Sequence, residues 1–206
     1  MDATDTLKDI RLMPVVVIDN PDNALPLAEA LLKAGINAIE ITLRTPQAMN
    51  AIEAIAAENP GIALGAGSVR NAEQLRQVRD AGAAFAISPG HSAGLLESAT
   101  ALGMPYIPGA SNAAQCMQLL ESGYRLQKFF PAELSGGVAM IKALAAPLPE
   151  VRFCPTGGIT LDNAKSYLEC EAVSCIGGSW FVPPNLLDEG DFAAIESLSR
   201  QAAELT

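Results

Sequence analysis

Residues Asn23–Thr42, NALPLAEALLKAGINAIEIT, contain one helix–strand unit of a pattern that recurs along the whole chain. Apolar residues at three- and four-residue spacing over Asn23–Ala34 predict an amphipathic helix. Asn23 is expected to be its N-cap, and Gly35 stands where a helix should end. The apolar, β-branched run Ala38–Thr42 then predicts a strand. The number of such units in the chain decides the fold.

Outward from this unit, the pattern predicts eight strands. They are Met13–Ile18, Ala38–Thr42, Ala63–Val69, Ala84–Pro89, Pro105–Gly109, Arg125–Pro131, Arg152–Gly157 and Val173–Trp180. After Asn23–Ala34, the further predicted helices are Pro46–Glu58, Ala72–Ala81, Ala93–Leu102, Ala113–Ser122, Val138–Ala145, Leu161–Leu168 and Asp191–Leu205.

Eight strand–helix units with near-continuous apolar strands predict a parallel sheet covered by helices, and eight is the number that closes a (β/α)8 TIM barrel. A doubly wound open sheet is the alternative, ranked lower because no GxGxxG opens the first helix. We therefore predict an α/β fold with a single barrel domain over residues 1–206. Within it, residues 1–12 form a helical extension ahead of the first strand.

Composition excludes several classes of function. The 206 residues contain no apolar run near the ~20 that a membrane helix needs, and the acidic N-terminus does not read as a signal peptide. Four cysteines without a CxxC pair suggest reduced thiols in the cytoplasm. A net charge of -10 argues against nucleic-acid binding. One histidine, His91, and scattered cysteines exclude a nitrogen–sulfur metal site, while an all-oxygen Mg²⁺ site stays open.

Lys128 lies inside the apolar run Leu126-Gln127-Lys128-Phe129-Phe130-Pro131, which belongs to the predicted sixth strand. The other four lysines fall in segments predicted to be helical. Burial favours the neutral amine of a lysine, which is the nucleophilic form, and a carbonyl substrate could then form a Schiff base with it. The alternative is a side chain that runs along an edge strand with its ammonium in water.

The second strand places Glu40, Thr42 and Arg44 on one face and apolar residues on the other, because strand side chains alternate. With helices outside, the polar face should point into the barrel. Glu40 and Arg44 are then either a functional pair or an internal salt bridge, and such a bridge contributes little stability because desolvating both charges is expensive.

Glycine pairs end the last two strands, at the positions where TIM barrels often bind phosphate. The segments are Cys154-Pro155-Thr156-Gly157-Gly158-Ile159 and Ile176-Gly177-Gly178-Ser179-Trp180. Glycine lets the backbone approach an anion so that its N–H groups can donate. A single pair could be only a tight turn, but two pairs predict a phosphate site. Ser68, at the end of the predicted third strand, either binds a substrate oxygen or is solvated.

Together these segments resemble the 2-keto-3-deoxy-6-phosphogluconate (KDPG) and 4-hydroxy-2-oxoglutarate (KHG) aldolase family. The resemblance includes Glu40–Arg44, Gly65–Val69, Phe85–Gly90 and Lys128–Glu133, in addition to the two glycine segments. It implies a class I, metal-independent and cofactor-free lyase of the Entner–Doudoroff pathway, acting as a homotrimer. Its substrate would be 2-dehydro-3-deoxy-6-phosphogluconate, cleaved to pyruvate and glyceraldehyde 3-phosphate. 4-Hydroxy-2-oxoglutarate is expected as a second substrate.

By that resemblance Lys128 is the Schiff-base lysine and Glu40 the general acid and base. The implied substrate-binding residues are Arg44, Ser68, Pro89, Thr156, Gly157, Gly158, Gly178 and Ser179. Arg44 corresponds to the family's ligand for the pyruvyl carboxylate. Ser68 replaces the family's usual threonine, which keeps the hydroxyl and loosens the packing around the pyruvyl group.

Two other functions stay open at this point. One is an aldolase for the C4 epimer, 2-dehydro-3-deoxy-6-phosphogalactonate. The other is a barrel that binds or isomerises a phosphorylated metabolite without a covalent step. The sequence alone does not decide which epimer is preferred or how many chains assemble.

Overall fold

Nine short strands curl into a closed parallel barrel in the computed structural model, which describes residues 2–206. They are β1 (Leu12–Val16), β2 (Ala38–Thr42), β3 (Ala63–Gly67), β4 (Phe85–Ile87), β5 (Tyr106–Ile107), β6 (Gly109–Ala110), β7 (Leu126–Phe129), β8 (Arg152–Pro155) and β9 (Ile176–Gly178). The predicted single α/β barrel domain is confirmed.

The barrel closes through two sheets that share one interrupted strand. One sheet has the order β5-β4-β3-β2-β1-β9 and the other β6-β7-β8. The predicted fifth strand is split into β5 and β6 at Pro108, which has no N–H to donate to a ladder. The carbonyl of Pro108 still accepts a hydrogen bond from the Lys128 amide at 2.9 Å. Isolated bridges, Phe153 to Val173 and Thr156 to Gly177, join β8 to β9.

Helices cover the outside of the barrel. They are α1 (Ala24–Lys33), α2 (Ala48–Glu58), α3 (Ala72–Asp80), α4 (Ala93–Leu102), α5 (Ala113–Glu121), α6 (Gly137–Ala145), α7 (Leu161–Leu168), α8 (Pro184–Glu189) and α9 (Phe192–Ala203). The six-residue helix α8 was not predicted from the sequence. Between residues 2 and 206 no helix is both long and apolar enough to cross a membrane.

Asn23 occupies the N-cap position of α1, as predicted, but its side chain makes no capping hydrogen bond there. A short 3-10 helix, Pro21–Asn23, precedes α1, and Asn20 caps that turn through the amide of Asp22. The side-chain amide of Asn23 instead donates to the carbonyl of Leu187 at 2.7 Å, which fastens α1 to α8.

The predicted helical extension is wrong in its secondary structure. Residues 4–9 form a run of turns, Leu12 already belongs to β1, and Met1 lies outside the described residues. The Asp2 carboxylate accepts hydrogen bonds from the amides of Thr4 at 2.8 Å and Arg125 at 2.5 Å. These contacts hold the segment across the end of the barrel where the strands begin, and a regular helix does not form there.

Two apolar layers result from the alternation of strand side chains. Ile39 and Ile41 of β2 pack outward under the helices. Ala38 faces inward, as Glu40 does, into an interior layer that also contains Ala3 and Leu7 of the N-terminal segment. The rest of the fully buried interior layer is Met13, Phe85, Ile87, Ile107, Leu126, Cys154 and Cys175. The N-terminal segment therefore closes one end of the barrel with apolar side chains.

Leu7→Ala is expected to lower the free energy of unfolding by about 2–4 kcal/mol, because it opens a cavity beneath the interior layer. Leu7 is only 3% exposed. Lys8→Ala, at the next and exposed position, is the control and should change stability by less than about 0.5 kcal/mol. Urea unfolding measures both. Equal stability of the two variants would show that the segment does not seal the barrel.

Candidate active site

Lys128 and Glu40 meet inside the barrel. Lys128 is on β7, opposite Gly109 of β6 and Cys154 of β8, and Glu40 is on β2. The Nζ atom of Lys128 lies 3.1 Å from Oε1 and 3.5 Å from Oε2 of Glu40. The two side chains are 5% and 1% exposed. The predicted inward orientation of Glu40 and the predicted burial of Lys128 are confirmed, and the alternative of a solvated lysine is wrong.

The space for this pair is created by missing side chains. A Cβ atom at Gly67 of β3 would lie 1.9 Å from Oε1 of Glu40. A Cβ atom at Gly65 would lie 2.1 Å from the ring of Phe85, which fills the barrel below. A buried ion pair contributes little to stability. A barrel that leaves out a side chain to accommodate such a pair is therefore a strong candidate for a catalytic site.

Among residues 2–206, Glu40 and Lys128 are the only charged residues that are buried. Hydrogen bonding to Cys154, with burial, raises the pKa of the Cys175 thiol well above its ordinary value, so this thiol stays neutral and weakly nucleophilic. All four cysteines are buried free thiols. Within residues 2–206, no group of three or more His, Cys, Asp and Glu side chains could hold a metal ion.

A cavity of about 220 Å³ opens beside the pair, at the ends of β8 and β9. Phe130 lines it, and the centroid of the Phe130 ring is 5.6 Å from Nζ of Lys128. The two glycine segments line the opposite side through Thr156, Gly157, Gly158, Ile159, Gly177, Gly178 and Ser179. The structure therefore brings the predicted phosphate residues together around one cavity, next to the lysine.

The glycine loops present unused hydrogen-bond donors. Among the described residues, no acceptor pairs with the backbone N–H groups of Gly157, Gly158, Ile159 or Ser179. Gly157 and Gly158 have φ angles of 102° and 79°, in the left-handed region that favours glycine. Successive free N–H groups in such a turn form an anion-binding concavity, and α7 begins directly after it.

Thr156 carries a further unused group. Its hydroxyl is buried and has no hydrogen-bond partner in the described chain. A Cβ atom at Gly177 would lie 2.3 Å from this hydroxyl, so a glycine is required opposite it. A buried hydroxyl without a partner is costly, and a bound substrate oxygen could satisfy it.

Arg44 supplies the positive charge among the cavity-lining residues that the structure describes. Its Nε–H donates to the Ser68 hydroxyl at 3.3 Å. Ser68 has a φ of 57°, an uncommon value for a residue other than glycine. The strained turn aims the hydroxyl toward Arg44, so both residues can contact one carboxylate.

Pro89 is not part of this cavity. It is exposed after β4 and lines a separate cavity of about 200 Å³ with Arg70 and His91. His91 contacts the Gly109 carbonyl through Nδ1 at 2.8 Å, a local contact to β6. Pro89 nevertheless lies close to the lysine strand, because a Cβ atom at Gly109, which is opposite Lys128, would lie 2.3 Å from the Pro89 carbonyl oxygen.

Several residues of the cavity lining were not predicted to bind substrate, among them Phe130 and Gly177. Phe130 belongs to the apolar run around Lys128, and Gly177 belongs to the second glycine pair. Gly177 could be recognised as a site residue only from its strand pairing, because it lies opposite Thr156 in an isolated bridge. That pairing cannot be read from either segment alone.

The KDPG and KHG aldolase family model matches residues 3–198. The KHG/KDPG aldolase of Escherichia coli K12 is 47% identical over 193 residues, which cover 94% of this chain and 91% of that protein. The KDPG aldolase of Legionella pneumophila, solved with pyruvate captured as a covalent carbinolamine intermediate, has a TM-score of 0.94 and 40% identity, covering 97% of each chain. The enzyme of Zymomonas mobilis ZM4, solved with 3-phosphoglycerate, has a TM-score of 0.94 and 43% identity, covering 100% of this chain and 96% of that one.

Proposed function

Because the chain belongs to the KDPG and KHG aldolase family, we propose that Lys128 forms the Schiff base of the family's reaction and Glu40 moves its protons. The protein is a class I aldolase of the Entner–Doudoroff pathway, which cleaves 2-dehydro-3-deoxy-6-phosphogluconate to pyruvate and glyceraldehyde 3-phosphate. The observation that supports these roles is the buried 3.1 Å contact between Lys128 and Glu40.

Catalysis begins when the Lys128 amine attacks the C2 ketone. The contact with Glu40 gives the ammonium proton a path to the carboxylate, and that transfer removes two buried charges at once. Loss of water from the carbinolamine then gives a protonated imine. The imine accepts the electron pair of the bond that breaks next.

Glu40 acts twice in the cleavage. As a base, directly or through one water, it removes the C4 hydroxyl proton, and the C3–C4 bond breaks to release glyceraldehyde 3-phosphate. The electron pair of that bond forms an enamine of pyruvate on Lys128. As an acid, Glu40 returns a proton to C3, and hydrolysis of the imine releases pyruvate.

The two ends of the substrate are proposed to bind on either side of this pair. Arg44 and Ser68 bind the pyruvyl carboxylate, and the unpartnered Thr156 hydroxyl donates to a substrate oxygen. The free N–H groups of the two glycine segments, including those of Gly157, Gly158 and Ser179, bind the phosphate, with Gly178 letting the backbone approach. For Pro89 we propose only that it shapes the mouth of the barrel.

The covalent route disfavours the non-covalent binding and isomerase alternatives, since the Legionella relative holds pyruvate as a covalent carbinolamine. The relatives reported above are named for the gluconate compound, which favours that epimer over the galactonate one. We extend the proposal to 4-hydroxy-2-oxoglutarate, because the Escherichia coli relative carries both activities in its name.

We also propose a homotrimer located in the cytoplasm. Exposed apolar side chains support self-association, among them Leu134 at 90% and Met117 at 50% exposure. Analytical ultracentrifugation should give the mass of three 21.4 kDa chains. The mass of a single chain would reject the trimer. Four free thiols suit a reducing compartment.

Lys128→Ala is expected to abolish both turnover and imine formation, because Lys128 is the only buried lysine among residues 2–206. The measurement is incubation with pyruvate and sodium borohydride, followed by intact mass and peptide mapping. The wild-type protein should gain a reduced pyruvate adduct on Lys128. A folded wild-type protein without an adduct would reject Schiff-base chemistry.

Glu40→Gln is expected to lose about 10²–10⁴-fold in turnover while it still gains the pyruvate adduct, since the amide cannot accept the C4 proton. The same trapping assay, run beside steady-state kinetics, separates the two effects. An unchanged turnover rate would remove Glu40 from proton transfer.

Gly67→Ala is expected to reduce turnover by about 10²-fold or more, because the new Cβ occupies the position of the Glu40 carboxylate. Gly94→Ala is the matched control, since Gly94 lies in α4 with open space around its Cβ position. Circular dichroism confirms folding of both. Normal kinetics in Gly67→Ala would show that the position of Glu40 is not critical.

A further inference from the structure

A ring of hydrogen bonds surrounds the loop of Gly157 and Gly158. On one side, the Glu133 amide donates to the Gly157 carbonyl at 3.1 Å. On the other, the side-chain amide of Asn163 donates to the Gly158 carbonyl at 3.1 Å. The hydroxyl of Tyr167 donates to the Glu133 carboxylate and closes the ring.

Two residues of the hydrogen-bonded ring belong to α7, and the helix fixes their positions relative to each other. Asn163 and Tyr167 are four residues apart and therefore lie on one face of that helix. Tyr167 is fully buried, and its phenol is fixed in place. Glu133 begins the short 3-10 helix Glu133–Ser135, which follows β7, the strand that carries Lys128. Its hydrogen bond with Tyr167 therefore connects the segment after β7 to α7.

The glycine loop also rests directly on Glu133. A Cβ atom at Gly158 would lie 2.7 Å from Cβ of Glu133. Glu133 thus contacts the loop through its backbone and its side-chain stem, while its carboxylate is held away by Tyr167. A carboxylate so close to an anion site repels a bound anion, so its presence there needs an offsetting function.

We propose that Glu133 and Tyr167 are positioning residues that hold the Gly157–Gly158 loop in the shape that binds the substrate phosphate. This inference rests on the function proposed above. Glycine loses more conformational freedom on ordering than any other residue, so an unbraced loop would have to be ordered by the ligand itself. The pair therefore determines affinity for the phosphorylated end of the substrate and leaves imine chemistry at Lys128 untouched.

The decisive comparison is Glu133→Ala with Glu133→Gln. Both remove the negative charge at an exposed position, and only glutamine keeps an oxygen that can accept from Tyr167. Glu133→Ala should raise KM for the phosphorylated substrate and the inhibition constant of inorganic phosphate about tenfold, the size of one hydrogen bond. Glu133→Gln should match the wild-type values or lower them, because it keeps the hydrogen bond and removes the repulsion.

Tyr167→Phe tests the same bond from its other end and should match Glu133→Ala. Tyr124→Phe is its control, because Tyr124 is a second buried tyrosine whose hydroxyl contacts the Leu96 carbonyl in another part of the fold. Borohydride trapping with pyruvate should give equal adduct in all these variants, since it does not use the phosphate loop.

Unchanged KM and phosphate inhibition in Glu133→Ala and Tyr167→Phe would overturn the inference, as would equal losses in Glu133→Ala and Glu133→Gln. A fall in pyruvate trapping that parallels the loss of phosphate affinity would also overturn it, because the pair would then act through general stability. Absence of the adduct in the wild-type protein is a different result, which would reject the proposed function itself.

Discussion

The burial of one lysine and one carboxylate in an apolar interior is the constraint on which the site depends. Lys128 and Glu40 have each other as close charged partners, because the layer below them is apolar and the Cys175 thiol stays neutral. The barrel accommodates the pair by omitting a side chain at Gly67. A substrate carbonyl that reaches this point therefore meets a desolvated amine already in contact with a proton acceptor.

The proposed phosphate site consists mainly of neutral groups. The chain carries a net charge of -10, so long-range attraction does not favour an anionic substrate. Free backbone N–H groups on two glycine loops supply local donors, and Arg44 adds one positive charge at the cavity. Backbone donors keep their orientation without long side chains, which limits the entropy lost when the ligand binds.

Much of this arrangement could be predicted because it depends on the two-residue period of strands and on glycine at strand ends. Those patterns oriented Glu40 and Lys128 inward and identified the loop of Gly157 and Gly158. Features set by distant contacts could not be predicted. The N-terminal segment forms turns because Asp2 bonds to Arg125, and Tyr167 meets Glu133, 34 residues away, only after the barrel closes.

Ala3 and Leu7 fill one end of the barrel with apolar side chains, whereas a cavity of about 220 Å³ opens at the ends of β8 and β9. At this opening the glycine loops lie outside and the lysine lies below. The aldehyde product is held only by the outer loops, whereas pyruvate is still covalently attached beneath it. In the proposed mechanism, product release is therefore sequential: the phosphorylated aldehyde leaves first, and water then reaches the imine and frees pyruvate.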